Sequence, residues 1–93
     1  MTSEVNAAHI LVKEEGRANE LLAMVKSGED FAQLARTHSE CPSGKNGGTL
    51  GWFGRGQMVK EFEDAAFGGQ KGETVGPIKT QFGWHLIKIL DKK

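Results

Sequence analysis

An α+β fold is predicted by three features of the sequence. Short apolar runs with period-two alternation stand at both ends of the chain. Between them lie stretches with apolar residues at three-to-four spacing, and a glycine-rich segment divides these stretches. The resulting order of strand, two helices, strand, helix and two strands suits a small mixed sheet covered by helices.

The first strand is "VNAAHILV" (5–12), whose alternation puts Val5, Ala7, His9 and Leu11 on one face. From Glu14 to Lys26, Ala18, Leu21, Leu22 and Val25 mark an amphipathic helix, and Gly28 supplies a left-handed stop. Asp30, with Gln33 three residues on, forms a capping box for a second helix that carries Phe31, Leu34 and Ala35 inward and ends near His38. Within the glycine-rich segment "TLGWF" (49–53) reads as a brief strand. Val59 to Phe67 follows as a short helix stopped by Gly68 and Gly69. "TVGPI" (74–78) and "GWHLIKIL" (83–90) are two last strands joined tightly through "KTQF", and His85, Ile87 and Ile89 share a face of the second.

Ninety-three residues fit one modest core, and no repeat or linker divides them, so residues 1–93 are expected to form a single domain. Twelve basic and twelve acidic residues cancel, which gives no electrostatic reason to expect nucleic acid or an anionic membrane as partner. No apolar run approaches the roughly 18 to 20 residues that span a bilayer. A lone Cys41 excludes an internal disulfide, and "MTSEVNAAH" lacks a secretory pattern, so a cytoplasmic monomer is expected.

Cys41 stands at the mouth of "ECPSGKNGGTLGWFGRGQM" (40–58), which allows a phosphate cradle, a thiol catalyst or one wall of an apolar pocket. The cradle fails. Ser39 stands where a P-loop needs glycine, Asn46 follows Lys45, and the glycines of "GWFGRGQM" have the wrong offsets for a dinucleotide fingerprint. They fit a tightly turning chain instead. Cys41, His9, His38 and His85 show no CxxC or HExxH spacing, so no metal is expected. His9 and His85 lie on apolar strand faces, where the neutral imidazole is favoured and an exposed base is not. Each alone reads as a satisfied core histidine. If the terminal strands pair, however, both meet with Thr80 and Cys41 nearby in a buried polar network that a purely structural core would avoid. Met58 and Phe62, one helical turn apart, with Leu50 and Phe82, suit either ordinary core or the apolar side of a pocket.

Four stretches in order, "HILVK", "FAQLARTHSECPSGKNGGTLGWFGRGQM", "EFEDAAF" and "VGPIKTQFGWHLIKI", make the chain resemble the parvulin family of peptidyl-prolyl cis/trans isomerases from about Asn6 to Leu90. The resemblance implies a four-stranded antiparallel sheet with surrounding helices, no cofactor, and a groove for Xaa-Pro segments of unfolded or flexible polypeptides. It implies that Cys41 lies at the groove beside His9 and His85, that Thr80 holds the histidines, and that Leu50, Met58, Phe62 and Phe82 receive the proline ring. Phosphate-directed members carry an extended basic loop after the first strand, whereas this chain continues "KEEGRANE" into a helix. No phosphate preference is therefore expected, and an apolar residue before proline is expected to be favoured. A peptide holder without catalysis is the second reading, and a Cys-His hydrolase, lacking an evident oxyanion arrangement, the third.

Overall fold

The computed structural model describes residues 2–93. Strand β1 (Glu4–Val12) is followed by helices α1 (Glu15–Lys26) and α2 (Phe31–His38) and a short 3₁₀ helix (Pro42–Asn46). Then come β2 (Thr49–Gly54), α3 (Lys60–Gly68), β3 (Thr74–Thr80) and β4 (Gly83–Lys92). The strands form one sheet in the order β2-β1-β4-β3, and every pairing is antiparallel. The element order alone suggested a mixed sheet. The structure corrects this, since β1 and β3 run one way and β2 and β4 the other, as the family resemblance implied.

Local signals explain the helix ends. Glu29 N–H reaches the Met24 carbonyl and Gly28 N–H the Val25 carbonyl, with Gly28 at φ 106°, so α1 closes in the left-handed way expected. The Asp30 carboxylate caps α2 by accepting from Gln33 N–H at 3.2 Å. The stop of α3 differs from expectation, because Gly69 has φ −79°. A Cβ there would lie 3.0 Å from Ile89 Cγ1 and 3.2 Å from Val75 Cγ1, so close packing favours glycine, while Lys92 Nζ donates to the Phe67 and Gly69 carbonyls at the helix end. The last two strands run further than the sequence pattern indicated, and their connection shrinks to Gln81 and Phe82.

The central strands β1 and β4 serve two cores. Ala8, Ile10, Val12 and Leu86 pack beneath α1 and α2 against Leu21, Phe31 and Leu34. On the other face Val5, Ala7, Ile87 and Ile89 pack with Phe53 against Phe62, Ala66 and Phe67 of α3. Further along that second face the alternation delivers His9, Leu11 and His85, which α3 covers only through the Phe62 side chain at its first turn.

Candidate active site

A cavity of about 450 Å³ opens where the second face is left uncovered. His9, Leu11 and His85 form its floor from the sheet. Glu40, Cys41 and Pro42 close one side, Leu50, Gln57, Met58, Val59 and Phe62 another, and Phe82 stands at the mouth with 55% of its surface exposed. Of the eight residues singled out in the sequence, seven line this cavity. Thr80 does not; it lies behind His85.

The register explains the meeting of the histidines. Leu11 faces His85 and His9 faces Ile87, so the two imidazoles are diagonal neighbours on one face, within reach of ring side chains. Their Nδ1 atoms lie 3.1 Å apart, and Phe62 meets both rings edge-on at centroid distances of 5.5 and 5.4 Å. His85 Nε2 lies 2.7 Å from Thr80 Oγ1, His9 Nε2 lies 3.1 Å from Ser43 Oγ, and Ser43 Oγ lies 3.4 Å from Cys41 Sγ.

The donors assign a direction to this chain. Phe82 N–H donates to Thr80 Oγ1, which leaves the Thr80 hydroxyl proton for His85 Nε2. His85 then carries its proton on Nδ1 and donates to His9 Nδ1, and His9 donates from Nε2 to Ser43 Oγ. Ser43 in turn donates to Cys41 Sγ. Every group is satisfied with both rings neutral. Reversal would strand the Thr80 hydroxyl proton without a partner among these groups. Burial, and then the charge of His85, pushes His9 down to about 4, and burial lowers His85 as well. Both rings are therefore neutral at pH 7.

Gly48 shows what the glycine-rich segment contributes. It sits at φ 82° with its carbonyl accepting from His9 N–H at 2.9 Å, and a Cβ there would lie 2.3 Å from the His9 carbonyl oxygen. Only glycine lets this segment lie against β1 beside His9. Gly51, at φ 78°, accompanies a bulge in which Thr49 and Gly51 pair with the consecutive Ala8 and Ala7, and the extra residue, Leu50, turns toward the cavity.

Sequence reasoning missed Ser43. Its only signal was its place two residues after Cys41, and the 3₁₀ turn opened by Pro42 is what aims it at His9. Leu11 was legible as a face-mate of His9, but its place in the cavity was not. Phe62, which the sequence left between core and pocket, is both, since it is 3% exposed, packs in the α3 core and lines the cavity.

The PPIC-type PPIase domain family matches residues 1–93. The chain belongs to that family. As a PPIC-type, or parvulin, domain it is 52% identical over 91 residues to the foldase protein PrsA of Geobacillus sp., covering 97% of this chain and 33% of that protein. It thus spans about a third of the length of the curated relatives it matches. A crystal structure of the peptidylprolyl isomerase PrsA of Bacillus cereus superposes with TM-score 0.95 at 49% identity, over 99% of this chain and 36% of the other. The solution structure of NmPin, the parvulin of Nitrosopumilus maritimus, matches with TM-score 0.88 at 43% identity, over 98% and 99% of the two chains. Among the described residues no helix is long and apolar enough to cross a membrane, and no cluster of three or more His, Cys, Asp or Glu is placed to hold a metal.

Proposed function

We propose that this parvulin domain accelerates rotation about Xaa-Pro bonds in unfolded or flexible polypeptides, by non-covalent stabilisation of the twisted amide in the cavity. The observation that carries the reading is the union of an apolar pocket, Leu50, Met58, Phe62 and Phe82, with a neutral and fully satisfied chain from Thr80 to Cys41 along its floor. A holder of peptides would need only the pocket.

The size of the task fits binding alone. Planarity of the amide imposes a barrier of about 18 to 20 kcal/mol, and a gain from about 0.01 to about 100 per second requires lowering it by roughly 5.5 kcal/mol. No bond has to break. Holding the proline ring against Met58 and Phe62 while the rotating carbonyl leaves water disfavours the charge-separated planar form. Cys41, which accepts from Ser43, lines the cavity as a weakly polar neighbour of that carbonyl, not as an attacking group. His9, His85 and Thr80 hold the floor in one geometry.

Phosphorylated substrates gain nothing here. No Lys or Arg lines the cavity. Arg55 is engaged by Glu63 at 3.0 Å and lies 4.4 Å over the Phe67 ring, and Arg17 lies 2.8 Å from His38 Nδ1. A phosphate before proline would bring about 1.5 to 2 negative charges with no clamp to receive them.

The test is the cis-to-trans conversion of a Leu-Pro peptide with and without the protein. Acceleration at micromolar protein, with the intact mass of the protein unchanged during turnover, is expected. Binding of the peptide without acceleration would leave the holder as the right reading.

A further inference from the structure

Resting on the isomerase reading, we infer that Glu40 makes the cavity mouth a subsite for a side chain with a long apolar stem and a cationic tip, Lys or Arg, on the residue before proline. Three observations place it there. Glu40 is the one charged side chain in the cavity lining, it is exposed, and it joins none of the ion pairs among the described residues. Its backbone is fixed, because its N–H donates to the Leu11 carbonyl at 2.8 Å, which ties Glu40 to β1 beside Leu11. Leu11 and the half-exposed Phe82 border this end of the cavity, since a Cβ on Gly83, the next residue after Phe82, would lie 3.2 Å from Leu11 Cδ1.

This end belongs to the residue before proline. That residue carries the rotating carbonyl, which the proposed function sets beside Cys41, and Glu40 immediately precedes Cys41 along the wall. A norleucine-like stem packs over Leu11 and the Phe82 ring, and an ammonium or guanidinium at its end meets the Glu40 carboxylate with its stem buried and its head wet. The same carboxylate opposes Glu or phosphoserine at that position. The apolar preference read from the sequence is thereby sharpened: the stem should be apolar and the tip positive.

The experiment compares kcat/KM for peptides that differ only before proline, with Lys, norleucine or Glu, at low salt and at 1 M salt. Norleucine keeps the stem of Lys and removes its charge. Lys is expected to exceed norleucine by about three- to fivefold at low salt, the size of an exposed ion pair. The ratio should fall toward one at 1 M salt, where screening acts within about 3 Å, and also in Glu40→Gln. In Glu40→Lys the order should reverse, with Glu ahead of Lys. Norleucine equal to Lys at low salt, a preference that survives Glu40→Gln, or a preference that appears only when Lys follows proline would each overturn the inference. Should no peptide be accelerated, the isomerase reading itself has failed, and amide NMR shifts of Glu40 and Phe82 on titration still decide the subsite. Tighter binding of the Lys peptide than of the norleucine peptide supports it, and equal binding overturns it.

Discussion

The two faces of one sheet have been put to different uses. Beneath α1 and α2 the strands present Ala8, Ile10, Val12 and Leu86 to Leu21, Phe31 and Leu34, an all-apolar core that the two helices close. The other face is covered only by α3. Nine helical residues reach about 13 Å, whereas the nine residues of β1 run about 30 Å. Half of the face is therefore core, with Val5, Ala7, Ile87 and Ile89, and half is floor, with His9, Leu11 and His85. A groove arises where a sheet face outruns its cover, and the residues there are free to be polar if their hydrogen bonds close.

The sharpest way to break this comparison is to damage the covered face. Leu21→Ala empties a fully buried site and should cost about 2 to 5 kcal/mol in denaturant unfolding, with turnover per folded molecule unchanged. A loss of turnover beyond the unfolded fraction would show that the closed core also shapes the groove.

Acid acts on the open half. The unfolded His9 takes up a proton near pH 6.5, but the folded one resists until about 4. Stability should therefore be flat above about pH 6.5, fall as the pH drops to 4, and level off below, by on the order of 3 kcal/mol from this group. In His9→Ala the part of the fall due to this residue should vanish. Thermal melts across that range check both, and an unchanged acid limb in the variant would show that the imidazole is not held neutral.

Smaller effects dissect the chain. His85→Ala should cost about 1 to 3 kcal/mol, since it leaves His9 Nδ1 and the Thr80 hydroxyl proton without partners. Ser43→Ala should cost about 1 kcal/mol by removing the acceptor of His9 Nε2–H in a half-buried position. Equal midpoints for wild type and His85→Ala would remove the hydrogen-bonded network from the description of the floor.

Much of this was legible in the sequence, and for local reasons. The stop of α1 needs only Gly28, the cap of α2 needs only Asp30, and period-two alternation placed His9 and His85 on apolar faces that pair. The polar and apolar halves of the groove were readable to the extent that alternation and helical spacing carry them. Thr80 and Leu50 were candidates in the sequence, but the geometry that places them was not legible there. Thr80 contacts His85 across a two-residue turn whose length the pattern overestimated, and Leu50 faces the cavity because of a bulge at Gly51 that alternation cannot foresee. Ser43 depends on the aim of a 3₁₀ turn, and the groove itself depends on the difference in reach between α3 and β1. Both are properties of tertiary placement.

The most direct measurement pairs one truncation from each half. Met58 is half-buried at the cavity wall, while Leu21 lies in the closed core on the opposite face. Exchange NMR on a Leu-Pro peptide, with Met58→Ala and Leu21→Ala each corrected for its folded fraction, reads the isomerisation rate per folded molecule. The expected result is at least about a tenfold loss for Met58→Ala, equivalent to about 1.4 kcal/mol of transition-state stabilisation, and no loss for Leu21→Ala. Equal losses in the two variants, or none in Met58→Ala, would contradict the assignment of catalysis to the open half of the sheet.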